Sequence, residues 1–255
     1  KRFVDSWNWG CRTDLFIDMG LSGNESLPWT PELIERYEGR WYWGGNSNWS
    51  NFGLSINVSL PWSLDLIERF SDRWKWYLLI CNEALPWSID LIERYEDRWN
   101  WGELSGNEAL PWSIELIERY KDRWGNSLFG RWAGLSGNKA LPWSLDLIER
   151  FSDRWEWSSL SGNKALPWSI DLIERYEDRW GWYGWEKLSR NAALPWSHDL
   201  IERFASKHHR AWDLGTYEDK DLFEGLSANV ALPWSINLIE HYWGRWDWRK
   251  LSSNA

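Results

Sequence analysis

Eight copies of Leu-Pro-Trp run through the chain, each inside the same block of about 21 residues. The prolines are Pro28, Pro61, Pro86, Pro111, Pro142, Pro167, Pro195 and Pro233, and their spacings are 33, 25, 25, 31, 25, 28 and 38. The base period is 25, with additions. A repeat of that length cannot bury an apolar face alone and has to stack on its neighbours, which predicts a solenoid. The fold class expected is an α/β or mainly α solenoid, with one helix and one short extended or turn segment per repeat.

The second half of each block reads as a helix. In the copy around Pro111, Ser113 is placed as N-cap, Glu115 lies in the first turn, and Trp112 and Ile117 have the spacing of a hydrophobic staple. Leu116, Ile117, Tyr120 and Trp124 form one apolar stripe, and Glu118, Arg119, Asp122 and Arg123 occupy the opposite face. The expected helix covers residues 113–124 and its seven equivalents. The first half carries Trp-x-Trp, as in Trp99 and Trp101, which suggests a short extended stretch. Valine and threonine occur three times each, too few for a broad β-wall.

One asparagine recurs before every Leu-Pro-Trp: Asn24, Asn57, Asn82, Asn107, Asn138, Asn163, Asn191 and Asn229. A carboxamide donates and accepts at once, so these residues are expected to form a buried ladder between coils. The Leu-Ser-x-Asn-x-x-Leu-Pro segment, as in residues 104–111 and 160–167, resembles the Leu-x-x-Asn-x-Leu segment of leucine-rich repeats. It departs from that pattern by placing leucine three positions after asparagine and tryptophans where leucines precede it. The resemblance implies one short strand and one helix per coil, used as a binding scaffold.

The additions enter after the helix: eight residues before Leu54, six before Leu135, three before Leu188 and thirteen before Leu226. Insertions at one register map to one side of a solenoid. They are read either as recognition loops or as lengthening at a tolerant corner. The ligand-binding candidates they supply are Trp49, Phe52, Phe129, Arg131, Trp132, Tyr183 and Trp185. The periodic majority of the 28 tryptophans is assigned to packing.

Catalytic and metal-site signals are lacking. The carboxylates recur in every copy beside arginines, the pattern of a salt-bridged solvent face rather than of paired catalytic acids. His198, His208, His209 and His241 lack metal spacing, and Cys11 and Cys81 make no disulfide framework. No catalytic residue, metal site or cofactor is assigned. A formal charge of −9 disfavours nucleic acid, and no apolar run is long enough for a membrane span. No signal peptide is visible, and localisation is left open. Residues 1–255 are read as one array, with partial repeats at 1–9 and 251–255 that suggest a longer parent. The function expected is a non-enzymatic scaffold for a protein or glycan partner. The alternative is a structural array, self-associating through open repeat ends.

Overall fold

The computed structural model describes residues 8–9, 11–13, 16–18, 20–45, 53–125, 132–207 and 220–253. Internal contacts divide the chain into two compact units, Lys1–Asn126 with repeats 1 to 4 and Ser127–Ala255 with repeats 5 to 8. The architecture is mainly helical, a succession of short helices with repeating aromatic clusters. In the first unit, β1 (Cys11–Thr13) and β2 (Phe16–Asp18) pair antiparallel ahead of repeat 1, with Arg12 opposite Ile17. They are followed by α1 (Pro31–Arg36), α2 (Leu64–Arg69), α3 (Trp76–Leu79), α4 (Ile89–Arg94), α5 (Trp101–Leu104) and α6 (Ile114–Arg119). The second unit contains α7 (Ala133–Gly137), α8 (Leu145–Arg150), α9 (Trp157–Gly162), α10 (Ile170–Arg175), α11 (Glu177–Arg190), α12 (His198–Lys207), α13 (Lys220–Ser227), α14 (Ile236–His241) and α15 (Trp248–Leu251). The described residues of the repeats contain no strand.

Leu-Pro-Trp is a turn joined to a helix start. The tryptophan N–H donates to the leucine carbonyl two residues back, at 2.7 Å for Trp112 to Leu110 and 2.8 Å for Trp168 to Leu166. This is the bond of an inverse γ-turn, whose central φ lies close to the value the proline ring imposes. The next residue caps the helix: Ser113 Oγ accepts from Leu116 N at 3.2 Å, and Thr30, Ser63, Ser88, Ser144, Ser169, Ser197 and Ser235 do the same. Ser144→Ala is expected to cost about 1 kcal/mol in urea unfolding, the usual cost of a lost N-cap.

The helix is shorter than the sequence pattern suggests. α6 ends at Arg119 because Tyr120 leaves the helical region, at φ −113° and ψ 23°. A tight turn follows, with Arg123 N donating to Tyr120 O at 2.8 Å. Trp124 then folds back, its indole N–H reaching Ile117 O at 3.1 Å. That bond satisfies a carbonyl that the helix end would leave orphaned. Six other repeats repeat it, from Trp41 to Ile34 O through Trp246 to Ile239 O. A six-residue helix is marginal alone. It persists because Leu116, Ile117 and Trp124 are buried, each aliphatic side chain contributing about 1.5–3 kcal/mol.

The Trp-x-Trp half also differs from expectation. The residue between the tryptophans is extended, as at Asn100 (φ −78°, ψ 100°), but the second tryptophan opens another short helix, α5. The Leu-Ser-x-Asn segment is helical too, 3₁₀ at Leu21–Gly23 and Leu54–Ile56 and α-helical within α9. A repeat thus pairs two short helices through turns, and the strand implied by the leucine-rich-repeat resemblance is absent from the described residues.

Candidate functional site

The junction between repeats is built from three repeated layers. The first is aromatic. The second tryptophan of Trp-x-Trp inserts against two rings of the following repeat. Trp43 meets Phe70 and Trp74 at 5.3 and 4.7 Å. Trp101 meets Tyr120 and Trp124 at 4.4 and 4.9 Å, and Trp157 meets Tyr176 and Trp180 at 4.6 and 4.9 Å. On the other side of the same ring stands the post-proline tryptophan, as in Trp112 against Trp124 at 5.3 Å. The indole N–H groups are bonded as well: Trp101 to Glu96 O at 3.0 Å and Trp112 to Asn107 O at 2.8 Å.

The second layer is polar and buried. Asparagine Nδ2 donates to a carbonyl of the preceding repeat: Asn57 to Ser22 O, Asn82 to Ser55 O, Asn107 to Ile80 O, Asn191 to Ser161 O and Asn229 to Ser189 O, at 2.6 to 3.2 Å. Asn163 reaches both Ser136 O and Asn138 O. Each Oδ1 accepts from the N–H two residues on, as Asn138 does from Ala140, closing a turn around the side chain. Asn24 makes that local bond to Ser26 N but is exposed, and its Nδ2 has no partner among the described residues.

A serine adds to this layer, and its role is not evident from the sequence pattern. Ser55 Oγ donates to Trp43 O at 2.6 Å and accepts from Lys75 N at 3.0 Å, so one buried hydroxyl ties two repeats together. Its equivalents Ser22, Ser105, Ser136, Ser161, Ser189 and Ser227 are buried too. Recurrence two residues before the asparagine in seven of the eight copies, with Ile80 in the other, was the available signal.

The third layer lies in solvent. Arginine at the sixth helix position reaches glutamate at the fifth position of the previous helix: Arg69 to Glu35 at 3.4 Å, Arg94 to Glu68 at 3.0 Å, Arg175 to Glu149 at 3.4 Å, with Arg119 to Glu93 and Arg203 to Glu174 in closer contact. All are substantially exposed, so each contributes about 0–1 kcal/mol. Here the carboxylates are engaged by cations, and among the described residues no group of three histidine, cysteine or carboxylate side chains is placed to hold a metal ion.

The insertion residues divide by place. Trp49, Phe52, Phe129 and Arg131 lie outside the described residues. Trp132 fills the aromatic slot of repeat 5, against Phe151 and Trp155 at 5.0 and 5.2 Å, and is 1 % exposed. Trp185 fills that of repeat 7, against Phe204 at 5.0 Å, and Phe223 fills that of repeat 8, against Tyr242 and Trp246. Each stands three residues before Leu135, Leu188 or Leu226, the offset that also separates Trp101 from Leu104. Chain is therefore added before the slot residue, which re-enters in register. The three-residue addition in α11 starts at Gly181, whose φ of 60° suits glycine, and leaves Trp182 and Tyr183 outside. Tyr183 is 66 % exposed, and the two rings meet edge to face at 4.5 Å.

Comparisons with protein-family models, with curated proteins and with solved structures returned no match. The chain is a tryptophan-rich helical repeat protein, and no family follows from the short leucine-rich-repeat-like segment.

Proposed function

We propose that the chain is a solenoid acting as a non-enzymatic binding scaffold for a protein or glycan partner. The observation that carries this reading is the division of labour among its aromatics. Most slot rings, among them Trp43, Trp101, Trp132 and Trp157, are buried by a junction that repeats with little change, while Trp182 and Tyr183, placed by an insertion, are exposed. Rigid amphipathic rings of that kind make contact area at low entropic cost. Trp49, Phe52, Phe129 and Arg131 belong to the same proposal through their position in the insertions.

A second reading, a self-assembling or spacer array, is supported by Trp243, an exposed ring where other repeats carry Ser71, Glu96, Lys121 or Ser152. The test is to screen the chain against arrays of oligosaccharides and peptides, beside a variant carrying Trp182→Ser and Tyr183→Ser. The scaffold reading expects a retained ligand whose affinity falls about tenfold or more in the variant, with the melting temperature unchanged. Concentration-dependent assembly with no ligand retained favours the spacer.

A further inference from the structure

We propose that the cleft between α12 and α14 binds a guanidinium group, supplied as an arginine side chain by a protein partner. This site is distinct from the insertion aromatics, so the two proposals fail separately.

At five junctions the chain places its own guanidinium on the glutamate of the preceding helix, a glutamate–arginine ladder. At the junction of α12 and α14 the sixth helix position holds His241 instead, opposite Glu202. Imidazole is shorter than the arginine side chain and brings no fork of donors. The consequence is visible in the space left behind. The preceding junction, lined by Ile173, Glu174, Trp185, Leu200, Arg203 and Phe204, leaves a cavity of about 10 Å³. Between α12 and α14, Glu202, His241, Leu238 and Tyr242, together with His198 and Asn237, line a wider cleft of about 200 Å³. Among the described residues no cation is ion-paired with Glu202.

The remaining groups suit the same occupant. His198 and Asn237 also line the cleft, and His198 stands where neighbouring helices carry Leu145 and Ile170. They add hydrogen-bonding groups around the carboxylate. A guanidinium fits a carboxylate through two parallel N–H bonds and can lay its face on an aromatic ring. The chain itself shows the second contact at equivalent positions: Arg36 lies over Tyr37 at 5.6 Å and Arg150 over Phe151 at 5.7 Å. Tyr242 is the equivalent ring here, met by the His241 imidazole edge to face at 4.5 Å and by Arg245 at 6.0 Å. Burial raises its phenol above the ordinary range, the Glu202 carboxylate raises it further, and Arg245 acts in the opposite sense. Two imidazoles and a carboxylate could suggest a transition metal, but among the described residues no three such side chains are set to hold one.

With four histidines in the chain, imidazole NMR signals can be assigned by substitution. Methylguanidinium chloride is titrated at constant ionic strength while the His198 and His241 ring signals are followed. The proposal expects saturable shifts at both rings, with affinity at least about tenfold weaker in Glu202→Gln, which keeps the shape and removes the charge. His241→Arg restores the ladder, so it should abolish the response at His198 and raise the melting temperature. Absence of any shift, or an undiminished response in His241→Arg, overturns the proposal. Shifts with zinc chloride but none with methylguanidinium overturn it too and reassign the cleft to a metal.

Discussion

Asn163→Ala is expected to lower stability by about 3 kcal/mol, while Asn24→Ala changes it by less than about 1 kcal/mol. The two residues share one sequence motif and differ in surroundings. Asn163 is buried, donates to Ser136 O and Asn138 O, and accepts from Ala165 N. Alanine leaves those carbonyls without that donor and opens a water-sized gap between repeats, and each unsatisfied buried group costs about 1–3 kcal/mol. Asn24 is exposed, so water replaces whatever its side chain loses. Repeat arrays are held by nearest-neighbour terms, so the loss at Asn163 should also uncouple repeats 5 and 6. Urea unfolding of both variants, followed by tryptophan fluorescence and circular dichroism, checks the difference. Equal costs at the two positions would show that the asparagine acts only within its own turn.

Trp132→Ala is expected to cost about 3–5 kcal/mol, whereas Tyr183→Ala stays within about 0.5 kcal/mol. Both residues read as ligand contacts in the sequence, but only Tyr183 lies in added chain. Trp132 packs on Phe151 and Trp155, carries the Arg154 guanidinium over its ring at 5.7 Å, and donates its backbone N–H to Arg154 O at 3.2 Å. Its removal empties the aromatic slot of repeat 5. Tyr183 touches Trp182 at the surface, and the junction does not depend on it. Calorimetric melting of the two variants separates them; a stable Trp132→Ala protein would detach that ring from the core.

The contrast between these residues shows what the sequence made legible. The period, the serine cap and the apolar stripe all follow from local chemistry, and residues 113–119 fold as that chemistry dictates. The helix end does not. Nothing local stops α6 at Arg119; the stop goes with Trp124 turning its indole back to Ile117 O, a bond that helix periodicity does not encode. The Trp-x-Trp alternation suggested extension because its two rings face different partners, one within the repeat and one across the junction. Short helices can meet that demand as well as strands can. The insertion tryptophans misled for a related reason. Aligning repeats from the preceding tryptophan makes Trp132 and Trp185 additions, and aligning them from the following leucine makes them the slot residue. Trp182, assigned to Trp-x-Trp by the first alignment, is the ring left outside. The arginine cleft follows from the same register, since only stacking brings Glu202 opposite His241.

One repeated junction, closed by buried asparagine amides, holds these helices together. Hydrogen exchange of the asparagine carboxamides, in protein ¹⁵N-labelled at asparagine, tests it most directly. Protected Nδ2 groups are expected at Asn57, Asn82, Asn107, Asn163, Asn191 and Asn229, with Asn24 exchanging at the rate of a free amide. Exchange at those six positions as fast as at Asn24 would show that the amides are open to water and do not close the junction.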